Sequence, residues 1–152
     1  MSVDIKTWGN TVWYLFHGLI HNLDDNKFNE YKEEYIYIFK TISHNLPCPD
    51  CSKDAKEVIS KTNFNIINSK LEMEKYIFNF HNHVNKKLKK KEFEFYKLEM
   101  YKKINIDVVI NNFIIIFSKK SNVPELMAAT FIRQNVIPNI IKKIQILKKY
   151  LI

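Results

Sequence analysis

Apolar side chains recur at intervals of three and four along most of this chain, with almost no glycine to interrupt them. Trp8, Val12, Leu15, Phe16 and Leu19 mark one face of a first segment that ends near His21 and Asn22. Phe28, Tyr31, Tyr35, Ile38, Phe39 and Ile42 mark a second over about residues 27–43, with Asp24 and Asp25 available as caps. These intervals place side chains on one face of an α-helix. Only 2 glycines and 4 prolines occur in 152 residues. That excludes collagen-like, low-complexity and most turn-rich all-β folds. It also argues against a nucleotide site on a glycine-rich loop, since neither Gly9 nor Gly18 lies in such a motif.

Pro47 breaks the second helix, and Pro49 sits at the first turn of a third, where proline is tolerated; Ala55, Val58 and Ile59 follow on it. Residues 63–68 read as a connection. Asn68 or Ser69 can cap a fourth helix running through Leu71, Tyr76, Ile77, Phe80, Val84 and Leu88, and a short fifth covers about residues 92–100. The expected fold is all-α: a four-helix bundle with a short fifth helix over residues 1–103, then a mainly helical extension over residues 104–152. Within the extension, residues 106–119 are apolar on most sides and rich in β-branched residues, so helix and strand both remain open. Pro124 opens a last helical pattern, in which Pro138 implies a kink or a restart. At 18.3 kDa the chain can bury a substantial core without metals or disulfides.

The formal charge is +8. Residues 104–152 hold seven positive and two negative side chains, and the densest basic run is Lys86, Lys87, Lys89, Lys90 and Lys91. A solvated lysine-rich face is the ordinary reading, and attraction of an acidic protein partner the sharper one; nucleic acid is not expected. The most apolar stretch, residues 104–117, contains Asn105, Asp107, Asn111 and Asn112 and is too short and polar to span a bilayer. The amino terminus, with Asp4, Lys6 and Trp8, lacks the charged and apolar regions of a secretory signal. A cytoplasmic protein is therefore expected.

The chain's 2 cysteines, Cys48 and Cys51, form Cys-Pro-Asp-Cys where the third helix begins. Unpaired backbone N–H groups and the helix dipole favour a thiolate there, and Lys53 and Lys56 add positive charge. A zinc site completed by His81 and His83 is an alternative, but residues two apart on a helix point about 200° from each other. No metal is therefore expected. The second constellation is Phe80-His81-Asn82-His83-Val84-Asn85-Lys86-Lys87-Leu88, in which His81, Asn85 and Leu88 share a face beside Asn82. Polar groups on an inward face are costly unless hydrogen-bonded, so either core partners or a bound polar ligand must satisfy them. The third is Trp8-Gly9-Asn10-Thr11-Val12-Trp13, with His17 four residues on. Trp13 and His17 can present one aromatic surface, either as core or as the wall of a pocket for a planar heterocycle.

A dithiol oxidised by exchange with a partner must pass on an electron pair. Residues of this chain offer no acceptor, so a cofactor is implied, and a flavin can return such a pair to dioxygen.

At these residues the sequence resembles the Erv/ALR family of FAD-linked sulfhydryl oxidases, and in particular the short forms of large cytoplasmic DNA viruses of the poxvirus and African-swine-fever-virus type. The likeness covers about residues 5–101: Trp8-Gly9 through Trp13 and His17, Leu46 through Cys51 with Ala55 following, and Phe80 through Leu88. It implies an FAD-binding bundle, usually a homodimer, that makes disulfides in partner proteins and passes the electrons to dioxygen. Carried over, Cys48 and Cys51 are catalytic, with Cys48 meeting substrate and Cys51 beside the flavin. Trp8, Gly9, Thr11, Trp13 and His17 on the first helix, and His81, Asn82, Val84, Asn85 and Leu88 on the fourth, are the implied FAD contacts. Lys90 and Lys91 are placed near the phosphates. The second Cys-x-x-Cys shuttle and the structural disulfide of many cellular members have no cysteines here. Substrate dithiols are thus expected to reach Cys48 directly or through a small thiol relay protein. Virion assembly in host cytoplasm is the setting implied. A catalytically inactive adaptor with a basic tail, binding protein or nucleic acid, and a zinc-binding module are the competing readings.

Overall fold

The computed structural model describes residues 5–121 and 123–152; the side chains of residues 5–7 and 125 and the whole of residues 1–4, Asp4 included, lie outside that description. The elements are α1 (Ile5–Asn22), α2 (Phe28–Ser43), α3 (Pro49–Ser60), α4 (Lys70–Lys87), α5 (Ile106–Phe117) and α6 (Pro124–Lys148), joined by short 3₁₀ turns. The fold is all-α. Among the described residues the nearest approach to a strand is a lone bridge between Leu23 and Leu151, and no helix is long and apolar enough to cross a membrane.

The helix ends follow from the sequence. Cys48 is the N-cap of α3 and Pro49 its first residue. Ser69 caps α4, its hydroxyl accepting the Glu72 N–H at 3.1 Å, while the Glu72 carboxylate accepts the Asn68 N–H at 2.7 Å. Asp24, expected to cap α2, caps instead a 3₁₀ turn, Asp25–Lys27, that leads into it. The short fifth helix is also a 3₁₀ segment, at Phe95–Lys103. The choice left open at residues 106–119 resolves as helix. Asn105 caps it, accepting the N–H groups of Asp107 and Val108, and Ile110, Phe113 and Phe117 are buried on one face while Val108 and Ile115 stay exposed. Helix α6 runs through Pro138 without a restart, because Ile137 and Ile140 are buried on either side of the proline.

Helix α1 packs on α4, α5 and the 3₁₀ segment, and α2 packs on α3 and α6. Residues 104–152 share one continuous apolar core with the rest: Phe113, Phe117, Ile140, Ile144 and Leu147 join Leu15, Leu19, Phe39 and Ile77. A Cβ on Gly18 would come 2.4 Å from Ile104 Cδ1, so its absence lets the start of the extension lie against α1. The carboxyl end is tied back to α1 by Ile152 N–H donating to Asn22 O at 2.8 Å.

Helix α4 ends in a Schellman pair, Lys90 N–H to Asn85 O at 2.8 Å and Lys89 N–H to Lys86 O at 3.1 Å. Lys89 is left-handed, with φ 57°, a conformation that costs a side chain with a Cβ about 1 kcal/mol or more. Lys89→Gly should raise stability by about 1 kcal/mol, a shift of roughly 2–4 °C in Tm for a chain of this size. Thermal unfolding followed by circular dichroism checks it, and an unchanged or lower Tm would contradict it.

Candidate active site

Cys48 and Cys51 are joined in a disulfide. The N–H of Cys51 donates to Cys48 Sγ at 3.2 Å, so one sulfur of the pair sits where the first turn of α3 offers unpaired N–H groups. The approach to the pair is pinned by Ser52: its hydroxyl accepts the Leu46 N–H at 2.8 Å from inside the fold.

Cys51, and not Cys48, lies in the wall of a cavity of about 350 Å³. That is the size range of small-molecule sites. Helix α1 supplies Trp8, Gly9 and Trp13 to the wall, and α4 with its cap supplies His81, Val84, Asn85 and Leu88, while Lys90 follows at the Schellman turn. These are nine of the residues named from sequence, brought together from three separate stretches of chain.

The others fall nearby but outside the lining. His17 lies behind His81, fully buried, with Nε2 2.9 Å from His81 Nδ1. Asn82 faces away: its amide donates to Phe93 O at 2.9 Å and its carbonyl accepts the Phe93 N–H at 2.6 Å, which fixes the strap after α4. Lys91 lines a separate open groove with Asn82 and His83. Thr11 and Cys48 are not part of the wall.

Behind the wall is an aromatic stack. The rings of Trp13 and His81 are parallel with centroids 3.9 Å apart, and His17 stacks on Tyr101 at 4.7 Å. Burial, with the charge of His81 second, pushes the His17 pKa down to about 3. Burial, with Lys90 second, lowers that of His81 to about 4. Both rings are therefore neutral at pH 7, one donating and one accepting the bond between them.

Sequence reasoning missed three contributors. Ser43, at the end of α2, lines the cavity, and so does Asp54 on α3. Asp54 accepts an ion pair from Lys87 and lies 3.3 Å from His83 Nε2, fastening α3 to α4. Ser52 is the third. No local pattern marks a serine or aspartate on an amphipathic helix as belonging to a site formed by other helices.

Whether the cavity suits FAD can be judged from its walls. Trp8 Nε1 and Ser43 Oγ are buried without a hydrogen-bond partner among the described residues, and both residues line the cavity. A Cβ on Gly9 would meet no atom within 4 Å, so the helix is bare there. Flat aromatic and aliphatic walls, two polar groups awaiting a partner, and cationic Lys90 at the edge match a planar heterocycle with a phosphate-bearing tail. The residues fit the cofactor.

Comparison with known proteins agrees with this geometry. The Erv1/Alr family pattern matches residues 10–104. A protein of Invertebrate iridescent virus 3 whose name gives it as an FAD-linked sulfhydryl oxidase, 096R, is 31% identical over 91 residues, covering 59% of this chain and 62% of that protein. The mitochondrial FAD-linked sulfhydryl oxidase ERV1 of Saccharomyces cerevisiae is 30% identical over 91 residues, covering 60% of this chain and 48% of the yeast protein. The chain thus spans about three fifths and half the length of these relatives. No solved structure matches it significantly. With the Erv1/Alr pattern matching residues 10–104, more than half of its length, this chain belongs to the Erv1/Alr family.

Proposed function

We propose that this chain is an FAD-linked thiol oxidase that makes disulfides in partner proteins. The observation that carries the reading is the two-sided placement of one disulfide: Cys51 in the wall of the cavity and Cys48 outside it.

A substrate thiolate attacks Cys48 Sγ, the bond to Cys51 breaks, and the Cys51 sulfur takes the electron pair. The second substrate thiol then attacks its own partner sulfur in the mixed disulfide and Cys48 departs as a thiolate. The Cys51 N–H and the end of α3 stabilise that leaving charge. The two substrate protons end on the enzyme's thiols, so two substrate thiols become one disulfide and Cys48 and Cys51 are reduced. FAD, when bound, supplies the acceptor for this electron pair and returns it to dioxygen, giving hydrogen peroxide.

In this reading Trp8, Trp13, Val84 and Leu88 hold the flat part of the cofactor and exclude water, while Asn85, Ser43 and the Trp8 indole N–H supply polar contacts. Lys90 neutralises phosphate charge. Neutral His17 and His81 keep Trp13 in place. Thr11, Asn82 and Lys91 act from outside the wall, Asn82 by holding the strap at Phe93. Residues 1–103 form the oxidase unit and residues 104–152 its extension. The proposal includes a homodimer, dithiol substrates met directly or through a small relay protein, and dioxygen as acceptor. Similarity to an iridescent-virus protein supports action in host cytoplasm or the virion.

The test is the visible absorption spectrum of the purified chain supplied with FAD. Flavin bands that bleach on anaerobic addition of dithiothreitol and return with air are expected. A protein that stays colourless after FAD is supplied would overturn the reading.

A further inference from the structure

Around the prolines that flank Cys48, the extension builds a second feature. Pro47 and Pro49, the neighbours of Cys48 on either side, form a narrow cleft of about 20 Å³ with Lys119, Lys120, Leu126 and Arg133. That is room for one small polar group. Three of these lining residues are cations and, among the described residues, none is a carboxylate.

Lys119 and Lys120 are exposed, whereas Arg133 is only 5% exposed. Arg133 spends two donors on the end of α5, Nε to Phe117 O at 3.2 Å and Nη2 to Lys119 O at 3.4 Å. Burial is the sole influence lowering its pKa, and no described carboxylate offsets its charge. A buried guanidinium without a counter-ion is costly, and an incoming carboxylate would offset that cost.

We propose that Lys119, Lys120 and Arg133 form a docking site that selects substrate proteins whose reactive cysteine is flanked by acidic residues. The proposal rests on the thiol-oxidase reading and gives residues 104–152 a part in substrate choice. A carboxylate seated in the cleft would hold the neighbouring thiol beside Cys48. Proximity of that kind, with long-range attraction, raises the rate of the first exchange without altering the disulfide itself.

The experiment compares three substrates with the FAD-loaded chain: dithiothreitol, a Cys-x-x-Cys peptide flanked by aspartates, and the same peptide flanked by lysines. The double substitution Lys119→Glu/Lys120→Glu touches only exposed side chains. The expected result is a preference of wild type for the acidic peptide of about tenfold in kcat/KM that shrinks as salt rises. The double variant should lose or invert the preference while oxidising dithiothreitol at the wild-type rate. Wild type that oxidises dithiothreitol but treats the two peptides alike at low salt would overturn the docking site and leave the oxidase standing. Equal loss on both peptides in the variant would do the same. A chain that binds FAD yet oxidises no dithiol would overturn both. Because the preference and its salt dependence are read on wild type, the test does not depend on the variant folding.

Discussion

Cys48→Ser and Cys51→Ser should each reduce dithiol oxidation below about a thousandth of wild type, and the two variants should fail in different ways. The magnitude is that of removing a group that forms the covalent intermediate. Neither change should unfold the protein. The loop between the cysteines holds only Pro49 and Asp50, so closing it constrains the unfolded chain little, on the order of 2 kcal/mol, and the core around Ala55 and Ile59 is untouched. In Cys51→Ser, Cys48 keeps its place at the N-cap with an N–H at 3.2 Å. It should form a stable mixed disulfide when offered oxidised glutathione, since no second sulfur remains to resolve it. In Cys48→Ser, the remaining sulfur sits in the cavity wall and should react much more slowly with the same probe. Mass spectrometry of the two adducts reads the difference. Retained turnover in both variants would sink the mechanism, and equal adduct formation would sink the division of labour between the two sulfurs.

That division was legible in the sequence only through resemblance, and the reasons differ from residue to residue. The helices of the first 88 residues could be read directly because their buried faces are continuous and their ends carry strong local signals, such as Pro49 and Ser69. The short fifth helix expected at about residues 92–100 forms as the 3₁₀ segment Phe95–Lys103. There only Leu98 and Tyr101 are buried, a three-residue spacing that suits both kinds of helix. Residues 106–117 and Pro138 were ambiguous for the opposite reason: β-branched content and proline work against helix locally, and burial against α1 and α2 decides the outcome. The site followed the same rule. Trp8, His81 and Asn85 could be found because they lie in distinctive local runs. Ser43 and Asp54 could not, because what makes them part of the site is the crossing of α2 and α3 with α4. His17 lies outside the cavity lining, and its contact with the His81 ring 64 residues away has no local signature. The cleft beside Cys48 had no sequence signature at all, because it exists only where the end of α5 meets Pro47 and Pro49.

The His17–His81 pair also makes acid stability a sensitive probe of the cavity. Both histidines have folded-state pKa values depressed by burial, to about 3 and about 4, whereas in the unfolded chain they titrate near 6.5. Below that value the unfolded state binds more protons, so stability falls as pH falls. Between pH 6.5 and 4.5 each histidine costs about 2 kcal/mol. Glu74 works against them. Burial raises its pKa to about 7, despite Lys70 at 3.9 Å, so the folded state binds its proton first and gains about 2 kcal/mol over the same interval. The net loss from these three groups is about 2 kcal/mol. Below pH 4.5 the Glu74 gain stops growing while His81 begins to take up its proton in the fold, so the slope stays near one proton per molecule. Urea unfolding of the FAD-free chain at half-unit steps from pH 7 to 4 measures this. Glu74→Gln removes the opposing contribution, so it should lose about 4 kcal/mol between pH 6.5 and 4.5 where wild type loses about 2. A wild-type curve flat over that range would mean that the imidazole pair is already protonated in the fold. Such a charge behind Trp13 would contradict the neutral wall on which the cofactor assignment stands.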